Sequence, residues 1–374
     1  MRSSSRRALL AISWVSISAS WVSGAILPKI DLPRDSPVAV IGADYGDSTE
    51  TPRGSAVMVD LHASLSLRNS SGRHIRGITL LVRSQDATPG GKGSVTLTSL
   101  DVAPGETFPV RMDVRLLRPI ASLGGGGPLQ LGLDGVLFDD LSFYGPDDLQ
   151  SRHTLTVYEF EARRDRRYFK ALLAEGGPAR LQQEMVASLS RQGDRPETQV
   201  QMMRAGRATN QEAERPVQFA MLHMPDSPVE PTEGMAKVAG NEARSPRLEV
   251  RNKSDRAVHS VEIGWLVKDG RGRQFMAGTV PATLNLAPGE KAQVLKETLK
   301  FPQLGAGQAA SIDSMTAFVS NVEFSDGKMW VPSRADLGDP RLKSVLAPSP
   351  EEQRLVQIYR KKGIAALVDE LKKF

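Results

Sequence analysis

The chain carries one pattern of residues twice, and this internal repeat constrains its fold more than any other feature. Residues 67–75 correspond to 250–258, residues 103–106 (Ala-Pro-Gly-Glu) to 287–290, and residues 136–140 to 322–326. The offset between the copies changes only from 183 to 184 to 186 residues over these three blocks. Three collinear matches at nearly constant spacing indicate a duplicated domain, so we predict two units with one fold.

Both copies have the hydrophobic pattern of short β-strands. Every second residue from Val57 to Leu67 is apolar, which places one face of a strand in a core and the other toward solvent. The Pro-Gly pairs at 104–105 and 288–289 fit the centre of a type II turn, with short strands expected just before them at Leu97–Val102 and Leu284–Leu286. Frequent turns between short antiparallel strands predict a β-sandwich.

The repeated pattern resembles a known group of modules. Asn-x-Ser at 252–254, then alternating Val, Ile and Trp to residue 265, then Leu-x-Leu-Ala-Pro-Gly-Glu at 284–290 is similar to immunoglobulin-like modules of bacterial envelope proteins, such as the FxLYD-type domains. The Phe-x-Leu-Tyr-Asp string itself is absent from the chain. The resemblance implies an immunoglobulin-like sandwich and a location in the envelope, and it carries no activity.

The predicted fold is mainly β, with two immunoglobulin-like β-sandwich domains joined by a helical linker and followed by a C-terminal amphipathic helix. The predicted boundaries are 1–25 for a signal peptide or N-terminal anchor, 34–162 for the first sandwich, 163–213 for a helical segment and polar linker, 214–338 for the second sandwich, and 345–374 for the C-terminal helix. Helical spacing extends over 163–192 and is broken at Gly176-Gly177-Pro178.

The N-terminal segment has the features of an export signal. Three arginines precede residues 8–26, which carry no charge, and Ser23-Gly24-Ala25 supplies the small residues that a signal peptidase reads. The alternative is an uncleaved anchor, because an uncharged stretch of about 20 residues can cross a bilayer. Either way we expect the rest of the chain in the periplasm or cell envelope, with membrane contact only through this segment if it is uncleaved.

Composition excludes several classes of function. The chain has no cysteine, which excludes disulfides, thiolate nucleophiles and cysteine-based zinc sites. Apart from the three N-terminal arginines, the chain has 45 basic and 43 acidic residues. It therefore lacks the excess of positive charge that is typical of nucleic-acid-binding proteins. The basic run Arg163–Arg167, interrupted by Asp165, is predicted to be a solvated helix face.

The amino-acid sequence contains no recognisable motif for catalysis or metal binding. The five histidines lack the spacing of a helical metal pair, and Ser325–Lys328, which has the form Ser-x-x-Lys, is predicted to be a hairpin turn. We therefore predict no catalytic, cofactor-binding or metal site and no cofactor. The alternative is an enzyme whose acids, for example Asp134, Asp139 and Asp140, converge in the sandwich loops or in a cleft between the domains.

Two apolar stripes need a covering surface. Tyr168 and Phe169 are predicted to pack on the first domain, with partner docking as the alternative. In the C-terminal helix, capped by Ser349 with Pro350 in its first turn, the candidate docking stripe comprises Leu355, Ile358, Tyr359, Ile364, Leu367, Val368 and Leu371. The second domain, a second copy of the chain or a protein partner could cover it.

Together these features predict a non-enzymatic extracytoplasmic protein that binds or scaffolds a protein partner or a second copy of itself. Besides the enzyme, the remaining alternative is a membrane-anchored sensor, which requires that the N-terminal segment be retained.

If the segment is a cleaved signal, the exported protein begins at Ile26, because cleavage after Ala25 leaves small residues at both positions that the peptidase reads. N-terminal sequencing of the envelope fraction measures this directly. A mature chain that still begins at Met1 and sediments with membranes would establish the anchor instead.

Overall fold

The computed structural model describes residues 28–84, 90–119, 129–191, 201–203, 213–295, 297–301 and 311–374. The described strands are β1 (Lys29–Asp31), β2 (Val38–Asp44), β3 (Thr49–Arg53), β4 (Ala56–Asn69), β5 (Ile75–Arg83), β6 (Lys92–Leu97), β7 (Thr107–Pro119), β8 (Gln130–Phe138), β9 (Phe143–Tyr144), β10 (Gln201–Met203), β11 (Arg215–Gln218), β12 (Ala220–Met221), β13 (Val229–Ala239), β14 (Glu242–Asn252), β15 (Val258–Asp269), β16 (Gln274–Leu286), β17 (Lys291–Gln293), β18 (Thr298–Lys300), β19 (Ile312–Phe324) and β20 (Met329–Trp330). The described helices are α1 (Ser151–Arg191), α2 (Pro340–Lys343) and α3 (Pro350–Lys372), and a 3-10 turn spans Asp336–Gly338.

One sheet has the same strand order in both repeats, and the structure confirms the predicted mainly β fold of the sandwich class. One sheet of the first repeat has the order β1-β8-β5-β6, with β9 paired to β8, and the matching sheet of the second has the order β12-β19-β15-β16, with β20 paired to β19. In both, the first strand runs parallel to its neighbour. The other sheets have the orders β2-β4-β3, with β7 on β4, and β10-β18-β14-β13-β11, with β17 on β14.

The described residues form two compact units. The first contains residues up to Arg68 together with Leu80–Val95 and Thr107–Gly132, and the second contains Asn69–Thr79, Thr96–Glu106 and everything from Leu133 onward. The predicted domain boundaries stay predictions.

In the first unit, β4 is the long central strand. It pairs in antiparallel register with β3 and, over its whole length, with β7. The residues predicted to face inward, from Val57 to Leu67, are buried, whereas His62 and Ser64 between them are exposed. Alternating burial of this kind confirms the period of two that the sequence shows.

In the second unit, the two sheets of the second repeat share a continuous apolar core. Trp265 of β15 is fully buried at its centre, and the Phe219 ring meets the indole edge to face at 5.0 Å between centroids. Aromatic pairs prefer this geometry because the positive edge of one ring faces the negative face of the other.

Some predicted elements differ from the structure or lie outside it. The strand expected at Leu97–Val102 lies earlier, in β6, because Ser99 adopts a left-handed φ of 55° and ends it, leaving Val102 only an isolated bridge to Ile75. The linker helix begins at Ser151 rather than 163. The signal segment 1–25 and most of the polar linker lie outside the described residues.

One end of the first repeat is tied together by a buried asparagine. Asn69 ends β4, and its Nδ2 donates to the carbonyl oxygens of Arg73 at 2.8 Å and of Val102 at 3.0 Å. Its Oδ1 accepts from the backbone N–H of Ser71 at 3.0 Å and from the Ser71 hydroxyl at 2.7 Å. Its own carbonyl accepts from the N–H of Gly105, which has the φ of 78° that the Pro-Gly turn requires.

Asn252 repeats this arrangement in the second copy. Its Nδ2 donates to the carbonyls of Arg256 at 2.8 Å and Leu286 at 3.1 Å, and its Oδ1 accepts from the N–H and hydroxyl of Ser254 at 2.9 and 2.7 Å. The carbonyl of Asn252 accepts from Gly289, with φ 79°. We call these two arrangements the asparagine locks. Each amide uses all four of its hydrogen-bonding positions.

We expect Asn252→Ala to lower the free energy of unfolding by about 2–4 kcal/mol, because it leaves buried carbonyls without a donor. Denaturant unfolding measures the loss. Asp255→Ala, an exposed residue of the same turn, is the control and should change stability by less than about 0.5 kcal/mol. Equal stability of the two variants would contradict a structural role for the lock.

Candidate functional site

The helices α1 and α3 pack on each other and form a second, smaller apolar core. Each is broken once at a glycine with left-handed φ: Gly177 (65°) in α1, directly before Pro178, and Gly363 (82°) in α3. The break predicted at Gly176-Gly177-Pro178 is therefore confirmed. Phe169, Leu172, Leu181 and Met185 of α1 are buried against Leu355, Val356, Leu367 and Leu371 of α3.

The candidate docking stripe lies inside this helix pair. Leu355, Leu367 and Leu371 are fully buried, and the other members, Ile358, Tyr359, Ile364 and Val368, pack partly buried on the same core. The stripe is thus covered by α1. Tyr168 and Phe169, which were predicted to pack on the first domain, belong to this core instead because α3 lies against that side of α1.

The basic run Arg163–Arg167 is not a solvated face, and that prediction is wrong. Arg164, Asp165 and Arg166 are all buried, with Asp165 fully so. The Asp165 carboxylate accepts from Arg164 Nε at 2.8 Å and from the Ser349 hydroxyl, and it lies 2.9 Å from Arg334 Nε. Charges survive burial when they are paired and hydrogen-bonded in this way.

A second carboxylate of the same cluster begins α3. Ser349 caps the helix as predicted, accepting from the N–H of Glu352 at 3.1 Å. The buried Glu352 carboxylate pairs with Arg191 at 2.9 Å and with Arg334 at 2.7 Å, and the Ser188 hydroxyl donates to it. The cluster therefore fixes the start of α3 against both halves of α1.

Beside this cluster lies a cavity of about 480 Å³. Its wall combines one side of α1, the 3-10 turn, α2 and the start of α3. The residues that line it are Tyr158, Glu161, Arg164, Tyr168, Glu184, Arg191, Arg334, Leu337, Gly338, Lys343, Leu346, Ala347, Pro348, Ser349, Pro350, Glu352 and Gln353. We call this space the helix cavity.

Glu161 is the unusual group of the helix cavity. It forms no hydrogen bond or ion pair with another described residue. Glu161 keeps part of its surface exposed, and desolvation by the cavity wall raises the pKa of its carboxyl from 4.5 to about 7; the guanidinium of Arg164 opposes the rise, and the carboxylates of Asp165 and Glu262 add to it. Glu161 is therefore poised to gain or lose a proton near neutral pH.

A polar contact joins α1 to β19 about two helical turns before Glu161. His153 of α1 is 3.1 Å from a carboxylate oxygen of Glu323, and this hydrogen bond raises the pKa of the imidazole. Burial raises the pKa of the Tyr158 phenol, which Glu161 and Glu262 raise further. This side of α1 is thus bordered by carboxylates.

Two of the acids named for an enzymatic site, Asp134 and Asp140, have separate structural tasks. Asp134 is buried and accepts from the Ser151 hydroxyl, which anchors the start of α1. Asp140 pairs with Arg73, whose guanidinium lies 3.7 Å from the centroid of the Phe138 ring, and the carbonyl of Asp139 accepts from Arg163. Within the part of the chain that the structure describes, no group of three or more His, Asp or Glu could hold a metal ion.

Sequence reasoning missed Glu161 and Arg334, since each has an ordinary local context. One signal was available: Tyr158, Glu161, Asp165 and Tyr168 are three or four residues apart, which places them on one face of a helix. That spacing indicates a polar face with aromatic residues, but it does not reveal what covers it.

Comparisons with known proteins give this chain only weak structural similarities. No family of proteins and no curated protein matches it. Among solved structures, a β-glucosidase from Kluyveromyces marxianus is similar at 10% identity over 71% of this chain and 45% of that one, with a TM-score of 0.16. An anti-sigma factor domain-containing protein is similar at 10% identity over 80% of this chain and 91% of that one, with a TM-score of 0.13. Vicilin from Corylus avellana (hazelnut) is similar at 11% identity over 74% of this chain and 82% of that one, with a TM-score of 0.09. The chain spans less than half of the glucosidase, and TM-scores this low do not indicate a shared fold. The resemblance to FxLYD-type modules stays a prediction.

We expect Glu161→Gln to alter the pH dependence of stability. Because the folded protein binds this proton more tightly than the unfolded chain, Glu161 contributes stability below pH 4.5 that is lost as the pH rises to about 7. Above pH 7 the Gln variant should therefore be more stable than the parent, by up to about 3 kcal/mol, with little difference below pH 4.5.

Urea unfolding across this pH range measures the difference, with the exposed Glu175→Gln on the same helix as control. A Gln variant that is less stable than the parent at every pH would mean that the carboxylate is favourably paired.

Proposed function

We propose that this protein is a non-enzymatic binding protein of the cell envelope, in which the sandwich repeats carry a helix pair that takes up a small ligand. The observation that carries the proposal is the helix cavity itself. Its volume is in the range of small-molecule sites, and its wall is held by buried ion pairs on rigid helices. A pre-organised wall of this kind reduces the entropy lost on binding.

Sequence features support a location outside the cytoplasm. The basic and then uncharged N-terminal segment has the pattern of an export signal, and the chain has no cysteine that oxidation could cross-link. No described helix is long and apolar enough to cross a membrane.

The proposal places the ligand in the helix cavity rather than on the candidate docking stripe. A protein partner could reach Leu355, Leu367 and Leu371 only after α3 leaves α1, which would expose their shared core. The walls of the helix cavity are accessible without such a change.

A second candidate function is catalysis by a carboxylic acid, and the pKa of Glu161 near 7 favours it. General acids and bases work best when their pKa lies near the working pH, and strongly perturbed acids in cavities are typical of active sites. Hydrolysis of nitrophenyl esters or glycosides that disappears in Glu161→Gln would support this function over simple binding.

The binding proposal is tested by filling the helix cavity. Gly338 lines it, and a β-carbon added there meets no atom within 4 Å, so we expect Gly338→Trp to fold and its indole to compete for the space. Gly270→Trp, in a turn of the second sandwich with equally open surroundings, is the matched control.

The small-molecule fraction of the native envelope should raise the Tm of the parent and of Gly270→Trp by roughly 2–5 °C. It should leave the Tm of Gly338→Trp unchanged. An equal shift, or no shift, in all three proteins would contradict a ligand site in the helix cavity.

A further inference from the structure

The charged residues on the wall of the helix cavity are paired within the chain, apart from Glu161. Three guanidinium groups, of Arg164, Arg191 and Arg334, are balanced by three carboxylates, of Asp165, Glu184 and Glu352. Lys343 has interactions of its own. Among the described residues of the wall, Glu161 is thus the acid without an ion pair, although the charges of Arg164 and Arg334 act on it.

The neighbouring sheet adds negative charge. Glu262 of β15 is near enough to perturb both Glu161 and Tyr158. Its carboxylate accepts from the hydroxyl of Thr279 and the amide of Asn321, which are neutral donors. The field of Glu262 therefore adds to the negative charge at Glu161, and the guanidinium groups that oppose it, of Arg164 and Arg334, are also paired with Asp165 and Glu352.

An aromatic ring completes the surroundings of Glu161. Tyr158 lies one helical turn before it on the same face of α1, partly buried and lining the helix cavity. A cation–π contact is already present in the same cavity wall, where the guanidinium of Arg334 lies 4.7 Å from the centroid of the Tyr168 ring. A carboxylate beside an aromatic face is the pairing that organic ammonium groups favour.

We propose that the ligand of the helix cavity is a small organic cation. The Glu161 carboxylate is its counter-ion, and the Tyr158 ring is the aromatic face that it contacts. The proposal rests on the binding function argued above and names the chemical class of the ligand. A divalent metal fits less well, because Mg²⁺ and Ca²⁺ require six or more oxygen ligands, whereas an ammonium group needs one carboxylate and an apolar face.

The test compares three probes of one shape: n-butylammonium, n-butyrate and n-butanol, titrated into the full chain by calorimetry up to about 20 mM. We expect saturable binding of butylammonium and none of the other two. Because only the ionised carboxylate pairs with the cation and the Glu161 pKa is about 7, affinity should be roughly tenfold higher at about pH 8 than at about pH 6.

Glu161→Gln should weaken butylammonium binding at least about tenfold, whereas Glu175→Gln on the same helix should leave it unchanged. The measured Tm of each variant shows that it is folded. Undiminished binding by Glu161→Gln, no saturable binding of butylammonium, or affinity that does not rise with pH would each overturn the proposal. Preferential binding of butyrate that Gly338→Trp abolishes would also overturn it, while leaving the binding function in place.

Discussion

A buried side-chain amide holds together the end of each β-sandwich repeat. At Asn69 and Asn252 the chain leaves one sheet and enters the other, and such a reversal would leave backbone carbonyls without partners. The asparagine supplies donors and acceptors at once, so the turn and the Pro-Gly turn beside it are satisfied by one residue. The strands that converge there can then be closely packed while the carbonyls of the turn keep their hydrogen bonds.

The helix pair applies the same principle with charge. Asp165 and Glu352 are buried at the start of α3, where the helix dipole and three arginines compensate them. The ion pairs of this cluster hold the helices together, and Glu161 lies at its border without an ion pair of its own. The contrast between an ion-paired cluster and an acid without an ion pair gives the helix cavity its chemical character.

The sequence predicted the parts of the structure that depend on nearby residues. Alternating side chains in β4, the Pro-Gly turns, the break at Gly177 and the Ser349 cap are all encoded within a few positions. The burial of Arg164–Arg166 was missed because its cause is remote: the hydroxyl that donates to Asp165 lies 184 residues further along the chain. Local patterning describes a charged run as solvated unless tertiary contacts bring partners to it.

The helix cavity could not be predicted for the same reason. Its wall combines α1 with residues 334–353, and only the packing of α3 on α1 brings them together. Spacing along α1 revealed the polar face, but the raised pKa of Glu161 depends on burial by distant segments and on Glu262 of another sheet. Such an environment is a property of the assembled unit.

Because the asparagine locks are duplicated, each asparagine has two similar Pro-Gly turns with which it could pair while the chain folds. Each asparagine could in principle engage the Pro-Gly turn of either copy, since both turns present the same groups. Asn69 is 33 residues from its own acceptor, Val102, and Asn252 is 34 from Leu286, whereas the crossed pairing of Asn69 with Leu286 would span about 217 residues. Closing the longer loop costs about 1.7 kcal/mol more in chain entropy, which favours the pairing of each asparagine with the turn of its own copy.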